Sequence, residues 1–226
     1  MASYLNEAEH KVVSDAVEAA ESATSGEIVT VLADRSDGYS DVVLVWAAVA
    51  AFTAMTIFAV WPDFVTGKID WLIGGGWDSE WTQGEILTLV IGFGLLKFLG
   101  VWLFLSWDRL RFVFIPGPIK TSRVHERAIK HFKVGADGRT GGRTGVLLYL
   151  SMREHRAEIV ADETIAEKVS ADVWGEAMAD MLDEIRQGRI AEGLAAGVRD
   201  VGVVLAEHFP RDEHDENELP DRLIEV

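Results

Sequence analysis

The segment GVLLYLSMREHRAEIVA, residues 145–161, decides the fold class of this chain. Gly145–Ser151 is an apolar run of strand length, and MREH makes a tight connection after it. Arg156–Ala161 then alternates polar and apolar residues, as half-buried strands do. The segment therefore predicts a β-hairpin, either with one face open to solvent or at the edge of a mixed sheet.

The residues before this hairpin, DGRTGGRTG at 137–145, share only part of the pattern of a nucleotide-binding P-loop. That loop needs G-x-x-x-x-G-K-[ST] between a strand and a helix, but Asp137 occupies the first glycine position and Arg143 the lysine position. A strand follows, so no helix N-terminus is available to hold a phosphate. We interpret the segment as a mobile hinge into the sheet, with Arg143 and Thr144 bordering a crevice.

Further strands and helices are expected to complete the same domain. EIVTVLA at 27–33 is rich in β-branched residues and predicts a third strand, which follows a helix that Asn6 caps. Apolar residues at helical spacing also mark residues 122–134, 172–187 and 189–208. Neither the lone strand nor the hairpin can bury itself, so we expect them to share one sheet with helices on both faces. The predicted fold class is α/β, a three-layer α/β/α sandwich.

Two apolar segments interrupt this domain in sequence. Residues 42–61 contain no charged side chain, and residues 86–107 contain one, Lys97. Twenty helical residues extend about 30 Å, the thickness of a bilayer hydrocarbon core. Helices that are apolar on every side are poor soluble core helices, and tryptophans near the ends suit the membrane interfaces. We therefore predict a transmembrane hairpin with a connecting loop at 62–85.

The charges on either side of this hairpin predict its orientation. The loop has one cation, Lys68, against five acids, whereas a basic run follows the second segment. That run consists of Arg109, Arg111, Lys120, Arg123, Arg127, Lys130 and Lys133. The positive-inside rule places the loop outside a bacterial inner (cell) membrane, with both termini and the sheet domain in the cytoplasm. The basic run is also expected to contact anionic lipid heads.

Three stretches together resemble the TPM domain family. They are SGEIVTVLADRSDGYSDV at 25–42, RTGVLLYLSMREHRAEIVAD at 143–162, and the two C-terminal helices from IAEKVSADVW at 165–174 onward. The resemblance implies the same α/β/α sandwich. The hairpin after the first strand is a departure, because many relatives carry an N-terminal signal and a tail anchor instead. The arrangement looks like a membrane-embedded bacterial subgroup of the family.

The resemblance also implies a range of functions. TPM-domain proteins are linked to the assembly or maintenance of membrane protein complexes, and some members have been assigned acid phosphatase activity or divalent-metal binding. No motif defines a family-wide active site. We therefore expect a non-catalytic accessory protein, with a weak metal-dependent phosphatase at the inner membrane face as the alternative. The expected partner is a membrane protein complex, or a second copy that associates through the transmembrane helices.

Composition excludes several other classes of function. The net charge of −16 argues against nucleic-acid binding, which needs a basic surface to displace counterions. The chain has no cysteine, so disulfides, thiolate metal sites and cysteine nucleophiles are all excluded.

Acidic residues near the strand ends are the candidate metal ligands. Asp34, Asp137 and Asp162 would converge in a crevice at the strand ends and bind Ca²⁺ or Mg²⁺ through oxygen. The alternative is that Asp34 caps a turn and Asp162 a helix. A phosphatase would use Arg143 and Thr144 to bind phosphate, but no nucleophile with a paired base is evident in the sequence.

Lys97 is the most unusual residue of the apolar segments, since a cation near mid-span is costly unless it snorkels or is paired. It either reaches the interface or faces a partner helix, and three nearby glycines would allow close helix approach. Those glycines are Gly92, Gly94 and Gly100.

Four sequence regions follow from these patterns. Residues 1–41 and 108–209 form the two parts of the sheet domain, the second starting with the basic juxtamembrane segment, and residues 42–107 form the hairpin. Residues 210–226 are acidic with few large apolar side chains, and we predict that this tail is disordered.

Overall fold

The computed structural model describes residues 3–73, 81–135, 144–211, 219 and 221–226. It divides the chain into two compact units, one formed by residues 1–37 with 117–226 and the other by residues 38–116. The helices are α1 (Glu7–Glu21), α2 (Ser40–Val60), α3 (Pro62–Ile73), α4 (Gln83–Leu105), α5 (Asp108–Phe114), α6 (Gly117–Gly135), α7 (Glu163–Ala166), α8 (Ala171–Arg186) and α9 (Ile190–His208). The strands are β1 (Glu27–Ala33), β2 (Gly145–Ser151), β3 (Arg156–Ala161) and β4 (Ile224–Glu225).

The first unit is built on a mixed sheet with the strand order β3-β2-β1-β4 in the described residues. β1 runs parallel to β2, with Glu27 opposite Gly145, and β3 returns antiparallel to β2. The three strands predicted from sequence are confirmed with the same bounds. The predicted pairing is confirmed too: strands on either side of the apolar segments lie side by side in one sheet.

Both faces of this sheet are covered by helices, because side chains along β1 and β2 point alternately to opposite sides. On one face, Ile28 and Leu148 pack into a core with α1, α8 and α9. On the other face, Val29 and Tyr149 pack against Val124, Ala128 and Phe132 of α6. This layering confirms the α/β/α sandwich.

The C-terminal residues are part of the fold, so the prediction of a disordered tail is wrong for residues 221–226. β4 pairs in parallel with β1, and the Val226 N–H donates to the Leu32 carbonyl at 3.0 Å. Leu223 is buried in the core, and Leu219 is buried on the other face. The prediction failed because it was based on the acidic composition of the tail and not on these two leucines. Burial of their apolar surface holds the chain end against the open edge of β1.

The second unit contains the predicted membrane hairpin. Among the described residues, α2 and α4 are the helices long and apolar enough to cross a membrane. Only 22% and 6% of the residues in their most apolar windows are buried in the protein, unlike the core helices of a soluble domain. Residues 62–73, predicted as loop, form the helix α3 instead.

Arg111 links three backbone carbonyls of this unit. Its guanidinium donates to the carbonyls of Gly38, Leu105 and Ser106 at 2.8, 3.3 and 3.0 Å. The bonds to Leu105 and Ser106 satisfy carbonyls at the C-terminal end of α4 that have no partner within the helix. The sequence predicted for Arg111 only a charge that orients the hairpin and contacts lipid heads, because its position opposite three carbonyls depends on the fold of α5.

Gly94 marks the close approach of α2 and α4. A Cβ there would lie 2.6 Å from Sδ of Met55, whereas Gly92 and Gly100 have open space around them. Of the three glycines singled out in the sequence, therefore, one packs within the hairpin.

We expect Gly94→Leu to destabilise the hairpin by about 1–2 kcal/mol, because Met55 and the backbone must shift to admit the side chain. Gly92→Leu is the matched control, since it adds the same side chain to the same helix where nothing is nearby. Thermal unfolding in detergent checks this difference. Equal melting temperatures for the two variants would show that the helices do not pack at Gly94.

Candidate functional site

The two described aspartates of the predicted metal site lie at opposite ends of the sheet. Asp34 follows the last residue of β1, which pairs with the last residue of β2. Asp162 follows β3, and because β3 is antiparallel, its last residue lies beside the start of β2. Five strand positions at about 3.3 Å each, with the flanking residues, place the two side chains roughly 20 Å apart. The structure therefore does not bring Asp34 and Asp162 together in one crevice.

Asp34 is held by two side chains at its end of the sheet. Its Oδ1 accepts a hydrogen bond from the Tyr4 hydroxyl and another from Nε of Arg153 at 3.0 Å. Burial alone would raise the pKa of Asp34, but the hydrogen bonds from Tyr4 and Arg153 outweigh it and lower the pKa overall. Asp34 thus fastens the N-terminal segment and the β2–β3 connection to the end of β1.

Asp162 and Thr144 have similar roles at the other end of the sheet. Oδ2 of Asp162 accepts from the Gly145 N–H at 3.0 Å, which fixes the start of β2 rather than the helix that follows Asp162. The Thr144 hydroxyl donates to the Ser25 carbonyl at 2.9 Å. Both side chains are buried.

The remaining predicted site residues, Asp137 and Arg143, lie outside the described residues. Within the described part of the chain, no group of three or more histidine or carboxylate side chains is arranged to hold a metal ion. The candidate Ca²⁺ or Mg²⁺ site therefore stays a prediction that depends on Asp137.

A network of buried and half-buried side chains, not predicted from sequence, occupies the end of the sheet next to Asp34. Oε2 of Glu154 accepts from the Ser151 hydroxyl at 2.6 Å, and Oε1 accepts from the Ser36 N–H at 2.9 Å. The Ser36 hydroxyl also donates to Oγ of Ser151 at 3.0 Å and lies 3.1 Å from the Tyr149 hydroxyl. His131 stacks on Tyr149 with ring centroids 5.6 Å apart.

This network resembles a nucleophile with its base, but its burial gives it a structural role. Ser151 is 0% exposed and Glu154 is 1% exposed, so a substrate cannot reach the Ser151 hydroxyl. Burial lowers the pKa of His131, and the positive charge of Arg127 lowers it further. The network ties the segment after β1 to the β2–β3 connection. The sequence feature that could have indicated this network is Glu154 in MREH, since an acid in a tight turn is normally exposed.

We expect Glu154→Ala to lower the free energy of unfolding by about 1–2 kcal/mol, because the Ser36 N–H and Ser151 hydroxyl would lose their acceptor. Glu167→Ala, at an exposed position of the same unit, is the control and should change it little. Denaturant unfolding checks both. Equal effects in the two variants would contradict the structural role of Glu154.

A half-buried carboxyl at the opposite end of the sheet has an unusual environment. Oε1 of Glu21 accepts from the Ile28 N–H at 2.7 Å, which joins the end of α1 to β1. Burial raises the pKa of Glu21 to about 8, and the neighbouring carboxylates Glu27 and Asp221 add to this rise against the opposing hydrogen bond. At neutral pH the side chain is therefore mostly protonated.

Comparison with known proteins identifies a family for part of the chain. The family model of the TPM domain matches residues 109–204, a range that includes α6, β2, β3 and α8. This chain contains a TPM domain. The resemblance seen in the sequence is confirmed, and the structure adds α1, β1 and β4, which lie outside the matched range but pack in the same unit as its β2.

A solved structure extends the comparison to the fold. The NMR structure of the BA42 protein from the psychrophilic bacterium Bizionia argentinensis is 20% identical, with a TM-score of 0.57. The match covers 100% of this chain and 98% of that one. At this identity, the likeness shows the fold alone. No curated protein matches the chain.

Proposed function

We propose that this protein is a membrane-anchored TPM-domain accessory that assists the assembly or maintenance of a membrane protein complex without catalysis. The observation that carries the proposal is the outward-facing apolar surface of α2 and α4, where Phe52, Leu96 and Leu103 are each more than 60% exposed. An exposed apolar surface along two long helices suits contact with lipid and partner helices, not with water.

The proposed orientation follows the charges on the two sides of the hairpin. α3 has Lys68 as its one cation, whereas α6 presents Arg127, Lys130 and Lys133 as cations. The positive-inside rule supports a cytoplasmic TPM domain and an extracytoplasmic α3 in a multi-pass inner-membrane protein. In this orientation α6 would contact anionic lipid heads.

A non-catalytic role is supported by what the described polar groups do. Asp34, Asp162, Ser151 and Glu154 all bind other parts of the chain, and Ser151 is inaccessible to a substrate. An active site needs a reachable nucleophile or metal with groups placed around the reacting atoms.

Cross-linking in native membranes, followed by affinity purification and mass spectrometry, tests the accessory role. We expect a defined membrane protein to be captured with the wild type and lost when the apolar surface is changed by Leu96→Ala/Leu103→Ala. The change Val12→Ala/Val203→Ala, at exposed valines of the TPM domain, is the matched control. Capture of the protein itself alone, at saturating yield, would contradict an accessory role.

A hydrolysis assay tests the alternative. We expect no turnover of a chromogenic phosphomonoester above background, with or without Mg²⁺ or Ca²⁺. Asp34→Ala and Asp162→Ala are compared with Asp15→Ala, an exposed position on α1. Metal-dependent turnover that either of the first two changes abolishes, and Asp15→Ala does not, would establish a phosphatase instead.

A further inference from the structure

An apolar groove runs along the second unit, residues 38–116. It has a volume of about 800 Å³ and extends from Trp46 and Phe114 at one end to Phe64 of α3 at the other. This volume lies in the range of pockets that hold drug-sized ligands, and its lining is almost wholly apolar. The described lining residues include two charged side chains, Lys68 and Lys97, and no acid.

Both lysines are held against aromatic rings of the groove. The ammonium of Lys68 lies 4.6 Å from the ring centroid of Phe64, and that of Lys97 lies 5.2 Å from the ring centroid of Phe93. Phe93 is one helical turn from Lys97 on the side of Gln83, so the Lys97 side chain points toward the α3 end of the hairpin. A ring face stabilises a cation but does not neutralise it.

Lys97 lies too far along α4 from either helix end to be hydrated easily by bulk water. It is 14 residues from Gln83 and 8 residues from Leu105, or roughly 21 Å and 12 Å along the helix. No carboxylate of the described residues forms an ion pair with either lysine. An unpaired cation at the depth of Lys97 is costly in a membrane. We therefore expect an anion from outside the described chain to bind in the groove.

We propose that the groove binds an anionic phospholipid, whose acyl chain lies along α2 and α4 while its phosphate meets Lys68 and Lys97. A lipid supplies in one molecule both the apolar length and the negative charge that this groove lacks. The phosphate would enter from the α3 end, toward which Lys97 points. The inference rests on the proposed membrane insertion of the hairpin.

Native mass spectrometry of the full-length protein in detergent tests this proposal. The probes are phosphatidylglycerol and phosphatidylcholine with identical acyl chains. We expect the wild type to retain phosphatidylglycerol preferentially, and Lys68→Gln/Lys97→Gln to bind it about tenfold more weakly. Lys11→Gln/Lys168→Gln, which removes two lysines of the TPM domain, should leave the preference unchanged.

Three results would overturn the proposal. One is an unchanged phosphatidylglycerol preference in the Lys68→Gln/Lys97→Gln variant. Another is loss of the preference in a variant of the cations of α6 alone, which would place the lipid on the TPM domain. The third is competition by glycerol 3-phosphate at the same concentration as the lipid, which would show that the apolar groove contributes nothing.

Alkaline extraction of membranes separates this inference from the proposed function. We expect both the wild type and the Lys68→Gln/Lys97→Gln variant to stay in the membrane pellet, since the apolar faces of α2 and α4 are unchanged. Release of the wild type would refute membrane anchoring itself. Retention of both proteins with equal lipid preference would refute the lipid site alone.

Discussion

Replacing Glu21 by glutamine is expected to stabilise the TPM domain by about 3 kcal/mol at pH 8.5 and to change its stability little at pH 4. The glutamine side chain would keep an oxygen to accept the Ile28 N–H, so the hydrogen bond between α1 and β1 is preserved. What the change removes is the ionisation of a half-buried carboxyl.

The sign of this effect follows from proton binding. The pKa of Glu21 is raised from 4.5 to about 8, so between these values the folded protein binds a proton that the unfolded chain has released. The stability due to this group is therefore fully present below pH 4.5 and falls as the pH rises to 8. Partial exposure reduces the effect below what the full shift would give.

Hydrogen exchange of the β1 amides, measured in detergent across this pH range, checks the prediction because it reports the opening of the TPM domain. Glu18→Gln is the control on the exposed side of the same helix. A difference between Glu21→Gln and the wild type that stays constant from pH 4 to 8.5 would contradict the raised pKa.

Removing residues 222–226 is expected to destabilise the TPM domain by about 3 kcal/mol, since the deletion uncovers apolar surface and the edge of β1. It removes the buried side chain of Leu223 and the two backbone hydrogen bonds that Val226 makes with Leu32 and Asp34. It also removes Glu225, which accepts hydrogen bonds from the Ser3 hydroxyl and the Leu5 N–H.

Point variants divide this effect without shortening the chain. Leu223→Ala should cost about 2 kcal/mol, whereas Arg222→Ala, at the exposed neighbouring position, should be nearly neutral. Denaturant unfolding gives both values. If the deletion left the unfolding midpoint unchanged, β4 would not be part of the stable fold.

Patterns local to one strand or helix could be predicted from the sequence. The bounds of two strands, Gly145–Ser151 and Arg156–Ala161, were predicted correctly. The apolar run, the polar alternation and the MREH connection that mark them all lie within one short segment. The apolar spans were also recognisable, since about 20 residues without charge determine a long apolar helix wherever the helix lies.

Features that depend on distant contacts could not be predicted in this way. Asp34 and Asp162 both follow strands in the sequence, but the antiparallel return of β3 sends them to opposite ends of the sheet. The buried Glu154 resembled an ordinary turn residue, because its partner Ser36 lies 118 positions earlier in the chain. The tail was predicted to be disordered because its partner, the edge of β1, is remote in sequence.

We propose that the hairpin crosses the membrane and leaves both parts of the TPM domain on the cytoplasmic side. Because the chain has no cysteine, single-cysteine variants can report its topology directly. In spheroplasts, a membrane-impermeant maleimide should label Asp63→Cys in α3 at once, and Ser122→Cys in α6 only after the membrane is permeabilised. Labelling of Ser122→Cys in intact spheroplasts with protection of Asp63→Cys, or recovery of the protein in the soluble fraction without detergent, would contradict the account.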